Sequence, residues 1–171
     1  MSADLLPTDV PGEHHQGDVL AILGDGWDLM IAHPPCTYLT NSGVRWLSTE
    51  EGRMEKMRQA AEFFKALMNA PIEKIAIENP IPHKYAMEII QKKYDQIIQP
   101  WMFGHMETKA TCLWLKNLPK LEPTENVKDE MLKLPKKEYQ KVHYLPPSPD
   151  RWKLRSTTYS GIANAFADQW G

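Results

Sequence analysis

No apolar run in this chain approaches the roughly 18–20 residues of a membrane-spanning helix, so no transmembrane segment is expected. The opening MSADLLPTDVPG lacks the charged-then-apolar order of a secretory signal, and the expected compartment is the cytoplasm. Cysteine is scarce: Cys36 and Cys112 are the only two, with no CxxC spacing. That argues against a disulfide framework and a zinc site. His14, His15 and His105 have no third partner at ligand spacing, so no metal is expected. One-sided charge is missing too. Lys and Arg number 20 against 22 Asp and Glu, a net charge of -2, which argues against a strongly basic nucleic-acid binder.

What the chain does have is a globular composition, 42% apolar and 25% charged, and a length of 171 residues that suits one domain over 1–171. Its charge is unevenly placed. Residues 1–115 carry 10 basic against 15 acidic side chains, whereas 116–155 carry 10 against 6. A basic segment on an acidic body fits phosphate contacts, and equally an ordinary solvated loop.

Periodicity predicts alternating strands and helices. Asp28–Ala32 and Lys74–Ile77 are short apolar runs bounded by turn signals, as in buried strands. Between them a helix opens at Ser48, with Ser48 and Glu51 as a capping box and Met54, Met57, Ala61, Phe64 and Met68 as its core stripe. A second helix is expected from Pro82 to Tyr94, then strands in QIIQPWM and CLWL. The tail is an amphipathic helix that buries Ile162, Ala165, Phe166 and Trp170. Pro119, Pro123, Pro135, Pro146, Pro147 and Pro149 make 119–155 an irregular excursion. The pattern is α/β with a mainly parallel sheet, in which ligands bind beyond the carboxyl ends of the strands.

Two such ends carry reactive groups. His33-Pro34-Pro35-Cys36 ends the first strand, because the Pro-Pro step cannot continue a ladder. Thr37, Thr40, Asn41 and Ser42 follow and suit a substrate better than a core turn. An unperturbed thiol is only partly ionised at neutral pH, and His33 and Arg45 are local partners for it. Glu78, in IAIENP, either caps the next helix or faces a ligand. Arg151, Lys153 and Arg155 around Trp152 form either a phosphate-contacting cluster or a solvated loop anchored by the tryptophan.

PPC after one apolar strand and ENP after the next resemble the Pro-Cys and Glu-Asn-Val motifs of cytosine-C5 DNA methyltransferases, in the compact form carried by phages and prophages. Gly17-Asp18-Val19 resembles the step that holds the adenine of S-adenosylmethionine. METKATCLWL resembles the Gln-x-Arg-x-Arg stretch before the last strands, and SGIANAFADQ the closing Gly-Asn helix. The resemblance implies a Rossmann-like S-adenosylmethionine-dependent methyltransferase fold, mainly parallel with an antiparallel last strand. It implies Cys36 as the nucleophile on cytosine C6, with Glu78 on the N3/N4 edge and Lys109 in place of the first arginine. Asp4, Asp18, Pro34 and Asn164 fall at cofactor positions, and Thr37, Asn41, Ser42, Arg45 and Asn79 at substrate positions. DNA is the implied partner, its target base flipped from the duplex at a cost of a few kcal/mol.

The departures are specific. The family's first strand and glycine-rich cofactor loop have no counterpart here, so an N-terminal truncation, a longer native chain or a protein partner is expected to account for that strand. Thr111 stands where the second arginine would be. The recognition region shrinks to about Pro119–Arg155, too little to read several base pairs. Two alternatives stay open: a catalytically inactive remnant or regulatory nucleic-acid-binding module, and C5 chemistry on a free pyrimidine nucleotide.

Overall fold

The computed structural model describes all 171 residues. Two short parallel strands open the chain, β1 (Ser2–Asp4) and β2 (His14–Gln16), paired only with each other. Four more strands make the main sheet: β3 (Leu29–Ala32), β4 (Lys74–Pro80), β5 (Gln96–Ile98) and β6 (Thr111–Lys116), in the order β3-β4-β6-β5.

The class is α/β. As expected, the last strand runs against the others: β6 is antiparallel to both of its neighbours, while β3 and β4 are parallel. The expectation of a mainly parallel sheet needs correction, since β6 lies between β4 and β5. Three strands share a direction, yet two of the three ladders are antiparallel.

Strand alternation sends successive side chains to opposite faces, and the two faces bury different sets. Ile75 and Ile77 of β4 join Cys112 and Trp114 of β6 in one core, with Met57, Ala61, Phe64 and Leu67 of helix α1 (Arg53–Met68). Ala76 and Leu113 face the other way, against Ile162, Ala165, Phe166 and Trp170 of helix α7 (Ser160–Trp170). Those four tail residues are the stripe expected from the sequence. Helix α2 (Lys84–Ile90) packs beside α1.

Several predicted boundaries move. The Ser48–Glu51 capping box does not form. Residues Asn41–Leu47 coil into a 3-10 helix that ends on Ser48, and Gly52, at φ 72°, forces a break before α1 starts at Arg53. Met54 is therefore exposed and Leu67 takes a place in the core. Helix α2 is shorter than expected, because Gln91 turns left-handed at φ 57°. Strand β4 runs on through Glu78, so Glu78 lies inside a ladder opposite Leu113 instead of past its end. The excursion 119–155 contains short helices α3 (Lys128–Met131), α4 (Lys136–Tyr139), α5 (Lys141–Tyr144) and the start of α6 (Arg151–Ser156).

The outer edge of β3 is open. With the Lys74 N–H on the Asp28 carbonyl, alternation turns the main-chain groups of Leu29 and Ile31 away from β4, where no strand meets them. No helix is long and apolar enough to cross a membrane.

Candidate functional site

The adjacent ends of β3 and β4 are tied by side-chain bonds that neither strand makes alone. Asn79 is buried in β4 and donates from Nδ2 to the Pro34 carbonyl at 2.9 Å. Its Oδ1 is buried and receives no donor from the chain, which leaves one acceptor unpaired. Pro34 is buried and serves this clamp. The loop after Cys36 is held from two further sides. Buried His83 lies against the Tyr38 carbonyl through Nε2 at 3.0 Å, and its Nδ1 accepts from the Ala86 N–H at 3.1 Å. Arg53 reaches the Thr37 carbonyl and lies over the Tyr38 ring. His83 and Arg53 had no sequence signal beyond ordinary polar residues, because their role depends on long-range packing.

Cys36 itself is exposed, as is Thr37. Even so, the protein around the thiol excludes enough water to raise its pKa above the ordinary value, and that desolvation is the largest influence. Its own backbone, Arg155 and Lys109 favour the thiolate, while Glu78 opposes it. Burial is also the main cause that lowers the Lys109 pKa, with Glu78 and Cys36 acting against it and Arg155 with it. These shared influences bring Cys36, Glu78, Lys109 and Arg155 into one electrostatic cluster. Helix α6 thus delivers a cation to the strand ends from a sequence distance of more than a hundred residues.

Glu78 opens into a narrow cleft with Lys109, Thr111, Thr158, Tyr159 and Ile162. His33 Nδ1 meets Glu78 Oε2 at 2.6 Å. Lys109 Nζ spans to the Thr157 carbonyl and lies over the Tyr159 ring. The wall behind is set by buried Glu107, which accepts from the Tyr159 hydroxyl at 2.8 Å and pairs with Lys141 at 2.8 Å. Burial, then the Glu107 bond, raises the Tyr159 pKa, so the phenol stays protonated. On the other flank an open hollow of about 380 Å³ is lined by Pro35, Tyr38, Lys56, Gln59, Ala60 and Phe63.

The remaining candidates do not join this cluster. Asp4 is exposed and accepts from the Leu6 N–H, and Asp18 is exposed and caps the turn Val19–Ile22 by accepting from the Leu20 N–H. Asn164 lies on the exposed face of α7. Asn41, Ser42 and Arg45 are exposed on the 3-10 helix. Ser42 bonds Thr40 at 3.0 Å, and the Arg45 guanidinium stacks over Trp46. Lys153 pairs with Asp9, and no group of three metal-ligating side chains forms. Compared with family models, curated proteins and solved structures, the chain matches none.

Proposed function

We propose that this chain carries the base-binding and nucleophile half of a cytosine-C5 DNA methyltransferase. One observation carries the reading: an accessible thiol, Cys36, shares the strand ends with a half-buried carboxylate, Glu78, and two cations, Lys109 and Arg155. Thiolate addition to cytosine C6 is a conjugate addition. The S–C6 bond forms, the C5–C6 electrons move through C4, and N3 takes a proton from Glu78. Reversal breaks the S–C6 bond and returns that proton. Covalent addition divides one hard step at carbon into easier ones. Because burial raises the thiol pKa, its proton passes to water at the exposed side chain before the sulfur adds, with Lys109 and Arg155 favouring the anion.

The residues of this chain do not make a site for S-adenosylmethionine. The carboxylates expected to hold it, Asp4 and Asp18, are exposed and each turns Oδ1 onto its own loop, and no glycine-rich loop follows a strand. On this reading the open edge of β3 is the place where a strand and loop that hold the methyl donor would pair. Arg151, Lys153 and Arg155 supply DNA-backbone contacts, giving binding with little base reading. The raised thiol and the unmade cofactor site also favour a second reading, a nucleic-acid-binding module without turnover.

A duplex carrying 2-pyrimidinone in place of one cytosine separates the two readings without any cofactor, since that ring is more open to addition at C6. A band stable to denaturing gels with the wild-type chain, and none with Cys36→Ser, is the expected result. DNA retention with no covalent band overturns addition in favour of simple binding. A covalent product on the free nucleotide alone replaces DNA with a pyrimidine nucleotide as substrate.

A further inference from the structure

Glu78 must take up a proton for each one it gives to a ring nitrogen, and its side chain is only 17% exposed. The side chain that bonds it also reaches solvent. His33 Nδ1 touches Glu78 Oε2 at 2.6 Å, whereas its Nε2 has no protein partner and the side chain is 43% exposed. Lys109 also faces Glu78, but its Nζ donates to the Thr157 carbonyl at 3.4 Å. Thr111, which stands at the expected second arginine, is buried and turns its hydroxyl onto the Lys109 carbonyl at 3.2 Å. No arginine side chain bonds Glu78; the group in contact with it is an imidazole, which can pass a proton from one nitrogen to the other.

We infer that His33 is the proton relay of Glu78, a positioning and proton-supplying residue that exchanges protons with water at Nε2 and with the carboxylate at Nδ1. The inference rests on the cytosine-addition reading for its purpose, though the pair itself does not depend on that chemistry. The step balances. Glu78 gives its proton to N3 as the S–C6 bond forms, His33 Nε2 takes a proton from water as Nδ1 passes its own to the carboxylate, and tautomer exchange of the neutral ring restores the Nδ1 proton for the next cycle. On reversal the protons run back. The charged and titratable groups around the carboxylate are His33 and Cys36 from the end of β3 and Lys109 and Cys112 from the approach to β6 and from β6 itself, with Tyr159 lining the same cleft, while Arg155 of α6 acts on Cys36 and Lys109.

Two readings on the intact chain test this. The first follows the Glu78 carboxyl and the His33 ring by carbon and nitrogen NMR through a pH titration. Coupled inflections in both signals, with the His33-linked inflection of Glu78 lost in His33→Gln, are expected; independent titrations overturn the relay. The second follows covalent capture of 2-pyrimidinone DNA against pH. His33→Gln keeps an N–H donor for Glu78 but cannot pass a proton, so the rate should fall about tenfold or more and lose the imidazole-dependent limb of its profile. An unchanged profile in a folded His33→Gln protein overturns the relay and leaves the addition reading intact. No capture by the wild type, with coupled titrations present, overturns the addition reading instead and supports the proton coupling of the pair.

Discussion

The thiol of Cys36 stands under opposing charges, and their signs can be separated by substitution. Removing the Lys109 cation takes away a group that favours the thiolate. Lys109→Met should therefore raise the thiol pKa and slow iodoacetamide alkylation at pH 8, and Glu78→Gln should do the opposite. Rates that move together in the two variants would contradict the cluster. Cys36→Ser, at an exposed position, should change stability by less than about 0.5 kcal/mol in urea unfolding while it abolishes covalent capture. Cys112 behaves differently. It is fully buried in β6, and its pKa is pushed up to about 12 by burial and by Glu78. The unfolded chain ionises this thiol near 9 while the folded chain keeps it protonated. The stabilising contribution is complete below about pH 9 and is lost as pH rises toward 12, at about 1.4 kcal/mol per unit. Cys112→Ala should lose less stability than the wild type between pH 8 and 10.5, measured by urea midpoints.

At the scale of elements, the site depends on how strand ends and helix ends are joined. The Asn79 bond to Pro34 links β3 to β4 inside the core, and Asn79→Ala leaves a buried carbonyl without its donor. A loss of about 1–3 kcal/mol in thermal or urea unfolding is expected. Helix α7 begins against the Phe103 loop, where Gly161 donates its N–H to His105 Nε2 at 3.0 Å. A Cβ at Gly161 would overlap the Phe103 carbonyl oxygen, so the backbone itself must give way. Gly161→Ala should cost about 1–3 kcal/mol and loosen the Tyr159 wall of the cleft. Gly-Ile-Ala-Asn could be read from sequence as the start of an amphipathic helix. That the glycine is required by a close approach from a loop about sixty residues away could not.

At the scale of the whole molecule, the basic 116–155 region and the open β3 edge carry the remaining predictions. Arg151→Gln with Arg155→Gln should weaken duplex binding similarly across sequences. The salt dependence of log K should fall by about 0.9 for each phosphate that the variant no longer neutralises. A salt slope unchanged from the wild type would remove α6 from the DNA surface. In hydrogen exchange, the Leu29 and Ile31 amides should exchange faster than those of Met30 and Ala32, and should become protected when a completing strand is added.

Much of the architecture was local enough to be legible in the sequence. Short apolar runs between turn residues, the Met57-Ala61-Phe64 spacing and the Ile162 to Trp170 stripe encode which face each element buries, because side-chain period follows backbone geometry. The Pro-Pro step before Cys36 likewise marks its strand end, since proline removes a ladder donor. Tertiary structure alone decided the rest. Glu78 belongs to a longer strand because β6 pairs with it there. Asp4 and Asp18 stay exposed and bond their own turns, while Arg155, His83 and Arg53 reach the Cys36 loop from other segments. Register, side-chain clamps and the field at a thiol are set by groups remote in the chain, so no window of sequence contains them.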